Sequence, residues 1–347
     1  MIKFADLIEY ETGYTVKNKL IYSVPWIEKY RPKKLSQIIH QNEIVKMLEN
    51  VLETGNLPHL LFYGQAGTGK TSTILAIGME LFGPKKFNER VVELNASDER
   101  GINIVRNKIV NIAKSSISTN NTKYKCPPYK IIVLDEADAM TTEAQSALRK
   151  VMEDNSNVTR FCFICNYINQ IIQPIVSRCV KFRFKPINDL CMEKKLKFIA
   201  TKENMIITDD AIKVIMENSN GDLRKGIMFL QNLNYLNSSI GKNDVYTIIN
   251  IIPKEKIDNI VTKCMHPSTS VKYINKIVKD IIKERYPIDN LLKQLNESII
   301  TNPHINDHVK SKICIHLSLV DKILMDGGNE YLQLLSSLLE IKKYTQV

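Results

Sequence analysis

Residues 64–71 carry the side chains in this chain that are best suited to chemistry. They are Gly64, Gln65, Ala66, Gly67, Thr68, Gly69, Lys70 and Thr71, and they fit the pattern G-x-x-x-x-G-K-[ST]. In such a loop the backbone N–H groups point at phosphate oxygens. Lys70 is expected to reach the β- and γ-phosphates, and Thr71 is expected to ligate Mg²⁺. The spacing therefore predicts a site for a nucleotide.

The segments on either side of this loop have the character that phosphate binding requires. The apolar run 60–63 predicts a buried strand, and the run 71–81 predicts a helix that stops at Gly83-Pro84. A chance glycine turn would not need a strand before it and a helix after it. The order strand, loop, helix therefore favours phosphate binding.

Two acidic residues follow a second apolar strand and indicate a reaction. Asp135 and Glu136 come directly after the run 131–134. Ligands of open α/β sheets bind at the carboxyl ends of the strands. Asp135 is expected to hold Mg²⁺, directly or through water, and Glu136 to polarise the attacking water. A solvated acidic turn would look the same in isolation, but together with Lys70 and Thr71 the pair predicts nucleotide hydrolysis.

Three more polar residues are candidates with ordinary alternatives. Asn166 closes the next apolar strand and can orient water or sense the γ-phosphate, although asparagine is also a common turn residue. Arg178 can be an arginine finger or one half of a surface salt bridge. Arg224 follows the candidate helix cap Asp222 and can reach back to phosphate or remain exposed. The residue types alone leave these alternatives open.

The order of elements predicts an α/β fold followed by helices. Strand candidates are 60–63, 91–94, 131–134, 161–165 and 179–184, and the helical patterns between them are 71–81, 102–114 and 142–153. Apolar strands that alternate with helices predict a parallel sheet covered on both faces. After Pro186 the strand signal disappears. Residues 187–347 are therefore predicted to be helical.

Composition limits the class of protein. The chain has 347 residues, which predicts two or three domains, and a net charge of +11, which suggests an anionic partner such as nucleic acid. No apolar run approaches the ~20 residues of a membrane span, so no membrane partner is expected.

Cys162 and Cys165 lie in an apolar strand and face opposite sides of it, so they are predicted to be core residues and not a metal site.

Several longer motifs resemble those of one family, the small subunits of replication factor C, the eukaryotic sliding-clamp loader and an AAA+ ATPase. The similarity runs from about Pro25 to the C-terminus and looks most like subunit four of the animal complex. Its motifs are PWIEKYRP at 25–32, LNASDERG at 94–101, DEAD at 135–138, Asn166, SRC at 177–179 and GDLR at 221–224. The last four resemble the Mg²⁺/base, first-sensor, arginine-finger and second-sensor motifs.

The resemblance implies an architecture and a set of partners. It implies an AAA+ core with a P-loop at 24–186, a helical lid at 187–250 and an all-α collar at 251–347. Residues 1–23 match no part of the family and are predicted to be an N-terminal extension. The cofactors would be ATP and Mg²⁺. The partners would be four other clamp-loader subunits, the sliding clamp PCNA and primer–template DNA, and the location would be the nucleus. ATP binding would favour clamp opening, and hydrolysis would release clamp and DNA.

The resemblance also implies roles for individual residues. Val24 and Arg31 would lie near the adenine or ribose, and Arg178 would act in trans on ATP held by a neighbouring subunit. Arg106 and Lys108 are candidate DNA-phosphate ligands, although the helix that carries them can equally be a solvated face. A scaffold subunit that seldom hydrolyses its own ATP remains an alternative. Other AAA+ machines, such as branch-migration ATPases, fit the motifs at 94–101 and 177–179 less well.

Overall fold

The computed structural model describes residues 24–96, 109–114, 124–236 and 239–345. The chain divides into two compact units, Met1–Ser238 and Ser239–Val347. The first unit contains a parallel sheet and the second is helical in its described part. The predicted fold class, an α/β core followed by helices, is therefore confirmed. Residues 1–23, together with Arg106 and Lys108, lie outside the described residues.

The first unit is built on one sheet. Its strands are β1 (Leu60–Gly64), β2 (Val91–Asn95), β3 (Lys130–Asp135), β4 (Thr159–Cys165) and β5 (Val180–Phe184). They lie in the order β2-β3-β4-β1-β5, and every neighbouring pair is parallel. Each strand was predicted to within two residues at either end. The order puts β4 between β1 and β3, so the carboxyl ends of these three strands are neighbours.

Helices connect and cover the strands of the first unit. In its described part they are α1 (Trp26–Lys29), α2 (Asn42–Thr54), α3 (Lys70–Arg90), α4 (Val110–Lys114), α5 (Thr142–Asp154), α6 (Gln173–Val176), α7 (Asp189–Lys202), α8 (Asp209–Ser219) and α9 (Leu223–Asn234). Short 3₁₀ turns occur at Leu35–Gln37, Ala137–Ala139 and Ile168–Gln170.

Side chains alternate between two hydrophobic cores, one on each face of the sheet. On β3, Ile132 and Leu134 pack into one cluster while Ile131 and Val133 pack into the other. This is the arrangement expected when helices cover both faces of a parallel sheet, and it explains why the strands are continuous apolar runs. The sheet is therefore held rigidly at its centre, which fixes the positions of its edge residues.

The two cysteines of β4 follow the same alternation. Cys162 packs in the cluster on one face and Cys165 in the cluster on the other, and both are buried. Burial raises the pKa of each thiol, to about 12 for Cys165. The expectation that these cysteines are core residues is confirmed.

The helix after the phosphate loop is longer than the sequence predicts. It breaks at Gly83, where φ is +69° and ψ is 166°, and helical structure resumes through Pro84 to Arg90. Proline is well tolerated in the first turn of a helix because that position needs no hydrogen-bond donor. The pair Gly83-Pro84 therefore ends one helical segment, as predicted, and immediately starts another.

The second unit is an all-α assembly around its own core. Its described helices are α10 (Lys242–Ile249), α11 (Lys254–Met265), α12 (Val271–Lys283), α13 (Ile288–Thr301), α14 (Asp307–Met325) and α15 (Glu330–Thr345). One apolar cluster between residues 252 and 341 joins the last five helices. None of the helices among the described residues is long and apolar enough to cross a membrane.

His59 immediately precedes β1 and gives the first unit a pH-dependent stability. Its Nδ1 accepts a hydrogen bond from the Phe161 backbone N–H at 3.1 Å. Burial, aided by the nearby Arg160 charge, lowers the pKa of His59 from 6.5 to about 4. The folded state therefore binds fewer protons than the unfolded state between these values. The stability that the neutral ring contributes is complete above pH 6.5 and is lost as the pH falls towards 4.

We expect His59→Asn to flatten this part of the pH profile. Asparagine can keep an acceptor near the Nδ1 position but does not titrate, so the free energy of unfolding should fall less steeply from pH 6.5 to 4 than in the parent chain. Urea titrations followed by the fluorescence of Trp26, the only tryptophan and a buried residue of the first unit, would measure it. His308→Asn, at an exposed histidine, is the control. If the free energy of unfolding falls equally steeply with pH in the parent and in His59→Asn, His59 is not the source of this pH dependence.

Candidate nucleotide site

The phosphate loop runs from the carboxyl end of β1 to the first turn of α3, and two of its glycines are required by their surroundings. A Cβ at Gly64 would lie 2.3 Å from the carbonyl oxygen of Phe184 on the neighbouring strand. A Cβ at Gly67 would lie 1.6 Å from Oδ1 of Asp222, and Gly67 also has φ of +69°. The loop is therefore packed closely against β5 on one side and against the start of α9 on the other.

Lys70 begins α3 and lies at the centre of the site. Its Nζ donates to the carbonyl oxygens of Gly64 at 2.7 Å and Gln65 at 2.8 Å, and to Oδ1 of Asn166 at 3.0 Å. Only 8% of the residue is exposed. Burial lowers the pKa of Lys70, while the Asp135 carboxylate raises it. The ammonium is thus held by the loop and by the end of β4.

Thr71 and Asp135 meet although they are 64 residues apart in the sequence. Thr71 Oγ1 donates to Asp135 Oδ2 at 2.7 Å. Both are oxygen ligands of the kind that Mg²⁺ prefers, and Mg²⁺ usually takes one or two protein ligands and fills its octahedron with phosphate oxygens and water. The pair therefore fits a Mg²⁺ site that is completed by a nucleotide.

Glu136 adopts an unusual backbone conformation next to this pair. Its φ is +53°, in the left-handed region that residues other than glycine and asparagine seldom occupy. Its backbone N–H donates to Asp135 Oδ1 at 2.9 Å, and its side chain is exposed. Strained conformations of this kind cluster at functional sites. Glu136 and Asp135 both line the pocket.

Asp138 is a positioning residue to which the sequence pattern gave no role. Its Oδ2 accepts hydrogen bonds from the backbone N–H groups of Asn166 at 3.0 Å and of Tyr167 at 3.2 Å. The loop after β3 thereby holds the end of β4, and with it the Asn166 side chain that contacts Lys70. The sequence does show an acid three residues after Asp135, but it does not indicate which backbone groups the carboxylate of Asp138 would contact.

Gln145 is a second residue that the sequence pattern did not indicate. It is buried on α5, where its amide donates to the carbonyl oxygens of Met140 and Gln170 and accepts from the backbone N–H of Ile172. These hydrogen bonds join the segment after the acidic residues to the segment before Arg178. A glutamine on an amphipathic helix is usually an exposed polar residue, so the sequence does not indicate that Gln145 is buried or which segments it joins.

The start of α9 brings Arg224 to the site. Asp222 caps this helix as predicted, because its Oδ1 accepts from the backbone N–H groups of Arg224 at 2.9 Å and Lys225 at 3.2 Å. The same carboxylate lies against Gly67 of the phosphate loop. Arg224 lines the pocket and is close enough to Lys70 to lower its pKa. The contact at Gly67 therefore sets the distance between Arg224 and the phosphate loop.

The other end of the pocket is mainly apolar. Ile27, Tyr30, Ile38 and Ile227 line it, and Arg31 adds a guanidinium that forms an ion pair with Glu28 at 2.6 Å. Such a surface suits the planar base and the sugar of a nucleotide better than it suits phosphate. Val24 is the first described residue and is not among those that line the pocket, so its contact with a nucleotide stays a prediction.

Arg178 lies outside the pocket of its own chain. Its guanidinium contacts Glu153 Oε1 at 2.5 Å and donates to the carbonyl oxygen of Pro174 at 2.8 Å, and Arg149 shares the same Glu153 oxygen at 3.1 Å. The three charged side chains are between a third and a half exposed. The surface salt bridge, one of the two alternatives for Arg178, is therefore present in the isolated chain. The action of Arg178 in trans stays a prediction.

Profiles of protein families match three parts of the chain. The ATPase family associated with various cellular activities (AAA) matches residues 60–187, which include every strand of the sheet. The RCF1/5-like AAA+ ATPase lid domain matches residues 194–233, and the replication factor C C-terminal domain matches residues 252–340. The three matches follow one another in the order that the resemblance implies.

Among curated proteins, the chain is similar to replication factor C subunits over most of its length. It is 48% identical to replication factor C subunit 4 of Homo sapiens, over 93% of this chain and 89% of that protein. It is 46% identical to replication factor C subunit 2 of Oryza sativa, over 90% and 92%. It is 44% identical to replication factor C subunit 2 of Saccharomyces cerevisiae, over 92% and 93%.

Solved structures support the fold. A RuvB variant from Thermotoga maritima superposes with a TM-score of 0.51 at 17% identity, over 73% of this chain and 79% of that chain. At this identity the likeness shows the AAA fold alone. The identity with the replication factor C subunits is much higher and extends through the C-terminal helices. The chain therefore belongs to the replication factor C small subunits, the ATPase subunits of the sliding-clamp loader.

Proposed function

We propose that this chain binds ATP with Mg²⁺ and hydrolyses it within a five-subunit clamp loader that opens the sliding clamp PCNA and loads it onto primer–template DNA in the nucleus. One observation supports this most directly. Lys70 and Thr71 at the start of α3 are joined by two hydrogen bonds to Asn166 and Asp135, at the ends of β4 and β3. A loop that merely held a nucleotide would not need the acidic and amide groups.

The phosphate end of the site binds and orients the nucleotide. Backbone N–H groups of the loop and of the α3 N-terminus would face the phosphates, and the helix dipole adds to their attraction for negative charge. Lys70 would neutralise the β- and γ-phosphates from a buried position, where its charge is screened less than it would be at the surface. Thr71 and Asp135 would hold Mg²⁺, which would stabilise the negative charge that develops during phosphoryl transfer.

Hydrolysis requires a positioned water molecule, and Glu136 is the side chain we assign to it. Glu136 lines the pocket next to Asp135, and its carboxylate would accept the proton of the water that attacks the γ-phosphorus. The amide of Asn166 would orient that water and register the γ-phosphate. Arg224 would approach the phosphates from the lid when the nucleotide is bound.

Arg178 is proposed to serve the site of a neighbouring subunit. It does not line the pocket of its own chain, and its ion pair with Glu153 is partly exposed, so the pair adds little to the stability of the free chain. A γ-phosphate in a buried interface would be a stronger partner for the guanidinium. The Glu153 contact can thus be exchanged for phosphate when subunits assemble.

The division of the chain and its DNA contacts complete the proposal. We keep the four segments 1–23, 24–186, 187–250 and 251–347 as extension, core, lid and collar, supported by the order of the three family matches. Arg106 and Lys108 remain proposed DNA-phosphate ligands, supported by the net charge of +11. Contacts of this kind would be independent of sequence and sensitive to salt.

The function is tested by co-expressing this chain with the four other proposed subunits and measuring ATP hydrolysis with and without PCNA and primed DNA. Stimulation by both ligands is expected, and Lys70→Ala should reduce it, because the loop then loses its phosphate-binding ammonium. If the complex assembles and is stimulated equally with Lys70→Ala, the chain is a scaffold whose own site is dispensable. A complex that fails to assemble would contradict the proposal itself.

Replacement of Glu136 by glutamine should separate binding from hydrolysis. Glutamine keeps the size of the side chain but cannot accept the proton, so the share of turnover that this site contributes should fall roughly 10²-fold or more while ATP still binds. Steady-state hydrolysis by the assembled complex and equilibrium ATP binding by the full chain would be compared. Asp154→Asn removes an exposed acid from the end of α5 and should change neither. A Glu136→Gln complex that turns over as fast as the parent complex would rule out the assigned base.

Replacement of Arg178 by alanine should slow a neighbour without affecting this chain's own pocket. Arginine fingers contribute roughly 10³ to 10⁵ to turnover at the site they serve, so the complex should lose the turnover of one site. The Kd of the isolated chain for ATP should stay within about twofold of the parent value, because Arg178 does not line the pocket of its own chain. Arg183→Ala, at another exposed arginine, is the matched control. A loss of ATP affinity in the isolated chain would contradict action in trans.

Replacement of Gly67 by alanine should weaken nucleotide binding through a collision with the lid. The new Cβ would meet the Asp222 carboxylate and push α9, with Arg224, away from the loop. We expect at least about a tenfold rise in the Kd for ATP by calorimetry. Gly55→Ala is the control, because Gly55 has a similar φ of +71° but open space around it. If both variants bind ATP like the parent, the contact between Asp222 and the loop has no part in the site.

A further inference from the structure

Lys195 is a cation of the nucleotide pocket to which neither the motifs nor the family matches assign a role. It lies on α7 of the lid, one helical turn before Phe198, and it lines the same pocket as the phosphate loop and Arg224. The residue is half-buried, and burial alone accounts for a lowered pKa of its ammonium. Lys195 therefore gives up part of its hydration to face the cavity.

The ammonium of Lys195 has no anionic partner among the described residues. Its Nζ lies 5.5 Å from the centroid of the Phe198 ring. The ion pairs on the neighbouring helix α1 do not include it, since Glu203 contacts Lys29 at 2.6 Å and Glu28 contacts Arg31 at 2.6 Å. A partly desolvated charge is costly unless it is paired or hydrogen-bonded. A ligand in the pocket would supply the missing acceptors.

A second cavity shows which end of the pocket Lys195 occupies. This cavity adjoins the nucleotide pocket, and the residues that line both are Tyr30, Arg31, Ile38, Ile39 and Lys195. No described residue of the phosphate loop lines the second cavity. Lys195 is therefore at the end away from the loop, beside the apolar surface that suits the base and the sugar. The phosphate end already has Lys70 and Arg224.

We propose that Lys195 binds the sugar–base half of the nucleotide, with its ammonium donating to ribose oxygens or to ring nitrogens of adenine. The inference rests on the proposed ATP site and adds a second lid contact to it. Arg224 reaches the phosphates, so its contact depends on which phosphates are present. Lys195 reaches the half that ATP and ADP share. The lid would then have one contact that distinguishes ATP from ADP and one that does not.

The test compares how much a substitution of Lys195 changes the affinity for ATP and the affinity for ADP. The Kd values of unmodified ATP and ADP would be measured by calorimetry on the full chain, since a fluorophore on the ribose would occupy the region in question. Lys195→Met keeps the length and apolar stem of the side chain but removes the donors, and it should raise both Kd values by about tenfold or more and by the same factor. Lys195→Arg keeps a charged donor and should bind both nucleotides more tightly than Lys195→Met does.

Two further variants make the result specific. Lys194→Met changes the preceding lysine, which is exposed and lines the second cavity but not the nucleotide pocket, and it should leave both Kd values unchanged. Arg224→Ala should weaken ATP binding more than ADP binding. Thermal unfolding followed by Trp26 fluorescence would show that Lys195→Met still folds.

The outcomes that would overturn the inference are distinguishable. Kd values for Lys195→Met within about twofold of the parent would show that the lysine is a solvated residue next to Phe198. A loss of affinity confined to ATP would place Lys195 at the phosphates and would overturn the inference as well. A parent chain that binds neither nucleotide would overturn the proposed function, and this inference with it.

Discussion

The site depends on a parallel sheet whose strand order makes β1, β4 and β3 neighbours. Because all three strands run in the same direction and are buried on both faces, their carboxyl ends meet at one edge and cannot shift independently. The hydrogen bonds from Lys70 to Asn166 and from Thr71 to Asp135 are consequences of that order. Each joins the phosphate loop to a residue at the end of another strand, and no local segment of the chain could form either one.

The lid adds a second constraint, which acts through close contact. Asp222 uses one carboxylate oxygen both to cap α9 and to touch the phosphate loop at Gly67. The position of Arg224, two residues later, is set by this contact. The lid is thus seated on the loop by a backbone position that only glycine can occupy. Lys195 approaches the same pocket from α7, so two helices of the lid contribute cations at opposite ends of the cavity.

Much of the site could be predicted because its signals are local. The phosphate loop, the acids after β3 and the asparagine after β4 each follow a recognisable apolar strand, and buried strands read as continuous apolar runs. Asp138, Gln145 and Lys195 were not predicted. Asp138 and Gln145 hydrogen-bond to backbone groups of segments 25 or more residues away, and backbone groups have no sequence signature. Lys195 is one of several lysines on α7, and nothing in the sequence distinguishes it from Lys194.

The type of chemistry, the strands and the order of an α/β core followed by helices could be predicted from the residues alone, because they follow from residue types at fixed spacing and from apolar periodicity. The strand order, the contact of Asp222 with Gly67 and the surroundings of each charge became known only from the folded chain. Folding pairs Arg178 with Glu153 at the surface and leaves Lys195 facing the pocket. The physical reason is that the partner and the solvation of a charge depend on which distant segments fold against it.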